Sequence, residues 1–225
     1  MPADPRLAAT LVLLRDADPG PEVLLVRRSP ALAYHGGDWV FPGGHVDPED
    51  RETAADGREA LEIARVAAVR EAREEAGVRV GRASTLCFAE WTTPEVSPTR
   101  FRTWYFAARW AGDPVVVDET ETVDHRWLRP AQALDAQATG ELSIPPPTYV
   151  TLSQLAACGS VAEALAQLGV AAPAVNRPRI IDVPGGHCSV CEEDSAYAGG
   201  DFDRPGPRRR LWMLDSGWHC EWREG

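Results

Sequence analysis

The chain has 225 residues, 44% hydrophobic and 25% charged, with 19 Gly and 19 Pro, a globular composition with room for one substantial domain and an appendage. All 23 basic residues are Arg against 34 Asp and Glu, and a net charge of −11 argues against a broad electrostatic grip on nucleic acid. The absence of lysine excludes Schiff-base catalysis and the phosphate-loop lysine. Cys87, Cys158, Cys188, Cys191 and Cys220 are an odd set in a chain too large to need disulfide stapling. They are expected to be reduced thiols in a cytoplasmic protein. Neither a secretory leader nor a membrane-spanning run of about 18 apolar residues is expected.

In chain order, Ala8 to Leu14 and Val23 to Val26 read as two strands of a hairpin, split by the turn-rich run Asp16 to Pro21. A loop with Gly36 and Gly37 leads to Trp39-Val40-Phe41 and Pro42-Gly43-Gly44, then to an acidic stretch from Asp47 to Gly57. A long helix begins near Arg58, rich in Ala, Glu and Arg, and stops at Gly77, which suits a left-handed C-cap. Ser84 to Trp91, Arg102 to Trp110 and Val123 to Leu128 read as strands. Pro147 to Ala157 and Ser160 to Leu168 read as short helices. Past Pro173 come strand-like pieces at Arg179 to Val183, Arg210 to Leu214 and Trp218 to Trp222. This order predicts an α+β fold, with a main domain over residues 1–170 and a small β-rich C-terminal extension over 171–225.

The long helix carries the chemistry. At about 3.6 residues per turn, Glu71, Glu74 and Glu75 stand at i, i+3 and i+4, so their carboxylates leave one face within reach of a shared cation. Mg²⁺ takes such oxygen ligands together with substrate phosphates, and Mn²⁺ suits the same donors. Arg70, one turn before Glu74, can orient a carboxylate. A solvated Arg/Glu face laced with i,i+4 pairs is the alternative reading.

The run Glu62-x7-Arg70-Glu71-x-x-Glu74-Glu75-x-Gly77-Val78 resembles the Nudix box, Gly-x5-Glu-x7-Arg-Glu-U-x-Glu-Glu-x-Gly-U, with the small Ala72 at one bulky aliphatic position U. Between Gly44 and Glu62 stand seventeen residues instead of five. With Gly43 and Gly44 as the loop glycines, the box spans 43–78 and holds an insertion of about twelve residues within 46–61, expected to bulge beside the metal site. Upstream, Leu24-Leu25-Val26-Arg27-Arg28-Ser29 to Gly37 and Phe41-Pro42-Gly43-Gly44 is similar to the extra motif of the coenzyme A diphosphatase branch. It departs from that motif at Val26, where the pattern has Thr, and at Ala33, where it has Arg. Trp91-Thr92-Thr93-Pro94, Ser97 to Thr103 and Pro145-Pro146-Pro147-Thr148 resemble the peroxisomal, nineteenth-type members and their bacterial relatives.

The resemblance implies an α/β/α sandwich with a mixed sheet and Mg²⁺- or Mn²⁺-dependent hydrolysis of a nucleoside diphosphate linked to another moiety, with coenzyme A or acyl-coenzyme A favoured. ADP-ribose, dinucleotides and nucleotide sugars are the alternative substrates, and a non-catalytic ligand-binding regulator is a further alternative. It implies Glu74 and Glu75 as metal ligands, Glu71 as ligand or water-activating base, and Glu62 and Arg70 as orienting partners. Gly44 would add a carbonyl, and Glu121, from the loop before a late strand, a further carboxylate. Arg28, Arg100 and Arg102 are candidate phosphate contacts. Trp91, Phe101 and Trp104 are candidate base-stacking residues, with core packing as the alternative for each. The expected partner is a small-molecule substrate, with no nucleic acid or membrane; a homodimer is left open. In the extension, His187-Cys188-Ser189-Val190-Cys191 with Cys220 is chemically adequate for structural zinc. A reactive thiol pair and plain apolar cysteines are the alternatives.

Overall fold

The structure, a computed structural model, describes residues 4–54, 59–170 and 172–223. Its centre is strand β1 (Arg6–Arg15), whose run of Leu, Val and Ala is buried on both faces. A strand covered on both sides must be apolar at successive positions rather than alternate ones. β1 pairs in parallel with β6 (Phe101–Arg109) along its length, from Arg6↔Phe101 to Leu14↔Arg109. β6 pairs with β5 (Leu86–Thr92), and β5 with the short β8 (Ala174–Asn176). On the other side stand β2 (Glu22–Arg28), β3 (Trp39–Val40) and β4 (Gly43–His45), and β7 (Thr122–Leu128) pairs with β2. The sheet is therefore mixed, as expected. The predicted hairpin exists only at its turn: β1 and β2 pair at Leu14↔Val23 and Arg15↔Glu22, and then β4 takes the place beside β1 from Ala8 to Thr10.

The two faces of the sheet are separated by the alternation of β1. Ala9, Leu11 and Leu13 join Leu24, Val26 and Phe106 under α2 (Ala60–Ala76), and Val12 and Leu14 point the other way. α2 meets the sheet through Ala64, Ala67, Ala68, Ala72 and Ala76, all fully buried. These small side chains let the helix lie close, so Ala72 at a bulky position of the motif is accommodated by packing. Gly77 ends the helix with φ 69°, and its N–H closes onto Ala72 and Arg73 carbonyls.

The opposite face is covered by α3 (Pro130–Ala138), α4 (Pro146–Leu155) and α5 (Val161–Leu168). α3 has no counterpart in the sequence reading, and it opens on Pro130. At a first helical position its missing N–H costs nothing. The C-terminal strands β9 (Arg179–Val183), β10 (Gly186–Val190), β11 (Arg208–Leu214) and β12 (Gly217–Arg223) form an antiparallel sheet. Leu211, Met213, Trp218 and Cys220 pack into the same cluster as α4, and the Tyr149 hydroxyl donates to the Trp218 carbonyl at 2.6 Å. Among the described residues, no helix is long and apolar enough to cross a membrane.

Candidate active site

The exposed end of α2 is organised by Arg70. Its Nε and Nη2 donate to the two oxygens of Asp50 at 3.0 and 2.9 Å, and Nη2 also reaches the His45 carbonyl at 2.8 Å. Nη1 donates to Glu74 at 2.7 Å and lies 3.0 Å from Glu71. Asp50 sits on α1 (Pro48–Thr53), within the 46–61 stretch that the sequence reading assigns to an insertion, and is only 2% exposed. One of its oxygens also accepts the Asp47 N–H at 2.8 Å, closing the helix start. Residues 55–58, within the stretch read from the sequence as an insertion, lie outside the described residues. Asp50 is the main cause that holds the Arg70 guanidinium charged.

Glu71 and Glu75 are buried, and Glu74 is exposed. Glu75 Oε2 accepts the Gly43 N–H at 2.8 Å, whereas its Oε1 is buried with no hydrogen-bond partner. Burial pushes the Glu71 carboxyl up to about 7; Arg70 opposes the shift, and Glu74 and Glu121 add to it. Burial pushes Glu75 up to about 8 against the Gly43 N–H, with Glu71 adding to the rise. With Arg70 3.0 Å from Glu71 and Arg28 3.9 Å from Glu75, the Glu75 oxygen still lacks a hydrogen-bond donor, and a divalent cation would satisfy it. Gly44 completes the cradle: a Cβ there would stand 2.5 Å from Glu71 Oε1, so only glycine lets β4 approach this closely. The three glutamates share the predicted face, but Glu74 is turned onto Arg70 rather than towards Glu75.

Two loops close the site. Arg28, at the end of β2, brings Nη1 to 3.9 Å from the orphaned Glu75 oxygen, and its own Nε is buried without a partner. Asp118 accepts the backbone N–H groups of Thr120, Glu121 and Thr122 and the Thr122 hydroxyl. Those bonds outweigh burial and hold its carboxyl well below the usual range. Asp118 is thus consumed in shaping the loop. Glu121 is exposed, and its charge acts on both Glu71 and Glu75. The Thr122 hydroxyl ties the same loop to the Glu75 carbonyl at 2.8 Å.

Other predicted residues lie elsewhere. Glu62 bonds Arg65 at 3.1 Å, and Arg65 bonds Thr85, so the structure does not bring Glu62 to Arg70. Arg102 pairs with the buried Glu90 at 2.6 Å, and Arg100 Nε donates to the Thr93 carbonyl at 3.3 Å. Trp91 is 7% exposed in the core cluster on the face away from α2, where it joins Phe88 because β5 shifts register between Cys87 and Ala89. Trp104 lies against the α2 cluster. Phe101 rests between Tyr34 and His45.

The model of the NUDIX domain matches residues 4–145, more than half of the chain. The chain belongs to the Nudix family. It is 25% identical over 169 residues to a nudix hydrolase 7 of Caenorhabditis elegans, covering 59% of this chain and 55% of that protein. It is 40% identical over 78 residues to the Nudix hydrolase NudL of Klebsiella aerogenes, covering 34% of this chain and 54% of that one. The chain thus spans about half the length of these curated relatives. The crystal structure of a NUDIX hydrolase from Alicyclobacillus acidocaldarius superposes with a TM-score of 0.65 at 27% identity, covering 76% of this chain and 99% of that one.

The Nudix motif also explains Asp50. Five residues separate Gly44 from Asp50, the spacing that the box requires between its glycine and its first acidic residue. Asp50, not Glu62, bonds the box arginine, and the extra residues follow that acid instead of preceding it. The spacing was visible in the sequence, but Glu62 stood at the right distance before Arg70 and Asp replaced the expected Glu.

The zinc expectation fails on strand geometry. Cys188 lies opposite Trp212, and Trp212 opposite His219; Cys220 lies opposite Leu211, which faces Ser189. Partners across an antiparallel sheet share a face and sequence neighbours do not, so Cys188 points away from His187 and Cys220. His187 is paired with Asp182 at 2.9 Å. Burial pushes Cys188 and Cys191 up to about 12. Among the described residues, no group of three His, Cys, Asp or Glu side chains stands ready to hold a metal ion, either here or at the α2 carboxylates, where Glu74 is turned onto Arg70.

Proposed function

We propose that this chain hydrolyses a nucleoside diphosphate linked to a second moiety, with coenzyme A or an acyl-coenzyme A as substrate, in the cytoplasm. The observation that carries the reading is the buried pair Glu71 and Glu75, with an unpartnered oxygen beside Arg28 and a glycine-only approach at Gly44. Glu71, Glu74 and Glu75 would hold Mg²⁺ or Mn²⁺, together with Glu121 and the Gly44 carbonyl. When bound, the metal neutralises diphosphate oxygens and lowers the pKa of a water.

The remaining work falls to the chain. Arg28 meets phosphate charge. Arg70, fixed by Asp50, keeps its place when Glu74 turns to the metal. Glu71 serves as ligand or as the base that takes the water proton, with Arg70 3.0 Å away to hold it in place. Water adds across one P–O–P linkage, and the products are two phosphate monoesters.

The coenzyme A assignment is supported by the upstream motif from Leu24 to Gly44. Ala33 removes one guanidinium from that motif, and this favours ADP-ribose, dinucleotides or nucleotide sugars as the second reading. The intact Glu71, Glu74 and Glu75 oppose a purely regulatory role. A mass-spectrometric product screen with Mg²⁺ and Mn²⁺ tests both readings. Coenzyme A should yield 4′-phosphopantetheine and 3′,5′-ADP. Cleavage of ADP-ribose or a dinucleotide instead overturns the substrate but keeps the reaction, and survival of every compound overturns the reaction.

A further inference from the structure

The carboxylates and an aromatic row lie on opposite sides of one thin strand. In β4, Gly44 pairs with Ala9 and His45 with Ala8, so Gly44 faces α2 while His45 faces the other side of the sheet. On that side the His45 ring lies 5.1 Å from Phe101, Phe101 lies 4.9 Å from Tyr34, and Tyr34 lies 4.2 Å from His35. Phe101 is 9% exposed, while His45 and Tyr34 are both exposed, so the row has a buried centre with an open ring at either end.

The loop that carries Tyr34 is held firmly. Asp38 bonds the His35 ring and the Ser143 hydroxyl, both at 2.6 Å, and its carbonyl accepts the Arg28 N–H at 2.9 Å. The Ser29 N–H donates to the Glu121 carbonyl at 2.7 Å, which ties this loop to the one closing the carboxylate site. His35 adopts φ 55°, a left-handed conformation that a non-glycine residue keeps only when its surroundings impose it. Tyr34 is therefore presented, not merely left on the surface.

We propose that the row Tyr34–Phe101–His45 is the subsite for the nucleobase of the substrate, with Tyr34 as the residue on which the base stacks. The proposal rests on the diphosphate reading above: a diphosphate held at Glu71 and Glu75 rounds the three-residue β4 and lays its base on the far face. Aromatic stacking accepts any base through its π-face, and a tyrosine loses little side-chain freedom in providing it. It also supplies affinity that a chain of net charge −11 without lysine does not obtain from broad positive charge.

The test is calorimetric titration of the intact protein, with Mg²⁺ present, by ADP and by inorganic pyrophosphate, which has no base. The unaltered protein should bind ADP more tightly than pyrophosphate. Tyr34→Ala should weaken ADP about tenfold and pyrophosphate less than about twofold, and Tyr34→Phe should retain both. Three results overturn the proposal: ADP binding no tighter than pyrophosphate, ADP binding unmoved by Tyr34→Ala, or equal loss for both ligands. The two readings fail separately. Selective loss of ADP in a protein that hydrolyses nothing keeps the subsite and removes the catalysis. Hydrolysis with a KM indifferent to Tyr34→Ala does the reverse.

Discussion

Asp50→Asn separates the two assignments of the orienting acid. Asp50 is 2% exposed and gives both oxygens to Arg70, at 3.0 and 2.9 Å. Asparagine keeps the shape but removes the charge and turns one acceptor into a donor aimed at a guanidinium. Hydrogen bonds to charged groups are worth about 1.5–3 kcal/mol each. Arg70 is 21% exposed and keeps the His45 carbonyl and Glu74, so water and those partners recover part of the loss. A net cost of about 2–3 kcal/mol follows, which for a chain of this size lowers Tm by roughly 5–10 °C. Arg70, released from Asp50, is left to compete with metal for Glu71 and Glu74, and kcat and Mg²⁺ affinity should fall about 10–100-fold. Glu62→Gln is the control. Glu62 is 47% exposed and bonds only Arg65, so its change should cost no more than about 0.5 kcal/mol and leave kcat within about twofold. Thermal melts and steady-state kinetics on both variants decide the matter. Glu62→Gln matching Asp50→Asn, or an unchanged kcat in Asp50→Asn, refutes the assignment.

Glu74→Gln should lower kcat by at least about 100-fold with Tm within roughly 2 °C, since its side chain is 58% exposed and removing its charge disturbs little of the fold. Near-normal turnover sinks the metal role. Glu71 and Glu75 are pushed up to about 7 and 8 from ordinary values near 4.5, so the folded chain holds protons that the unfolded chain releases. Without metal, their contribution is full below about pH 4.5 and is lost as pH rises to about 8; Tm in EDTA should decline between pH 5 and 8, and a rise over that range contradicts the burial argument. Mg²⁺ held at one concentration, about 100 times its Kd at pH 7, should add about 2.7 kcal/mol there, more at pH 8 and less at pH 6 because protonated carboxyls bind it poorly. Elemental analysis of protein purified without chelator should find no stoichiometric zinc, and 1,10-phenanthroline should leave Tm within about 1 °C; a bound equivalent of zinc overturns the strand-face argument.

What the sequence made legible is what depends on local spacing. The i, i+3, i+4 glutamates, the alanine stripe and Gly77 define α2, and all follow from helix period and capping. The family spacing singles out Glu121 among the loop carboxylates, but the role of Asp118 is not legible, because it lies in which backbone N–H groups point at that side chain. The cysteines misled for a related reason: His187 and Cys188 are neighbours in the chain, and neighbours on a strand face apart. Past the register shift in β5 the same alternation puts Trp91 on the core face of a strand whose other face carries Glu90.

The Asp50–Arg70 clamp explains how the box survives being split. Nineteen residues separate this acid from Arg70, where the motif has seven. Lengthening a connection by that factor costs only about 1 kcal/mol of closure entropy, because the cost grows with the logarithm of length. The two charge-assisted bonds between Asp50 and Arg70 exceed it, and the bond from Arg70 to the His45 carbonyl pins the preceding strand to the same guanidinium. The glycine strand, the acid and the helix are thus joined at one side chain, and the added residues enter between two points that are already fixed. An insertion immediately before Asp50 would instead move the acid relative to Gly44 and His45. The place of the insertion, just after the acid, is the one that leaves the carboxylate site intact while adding surface beside it.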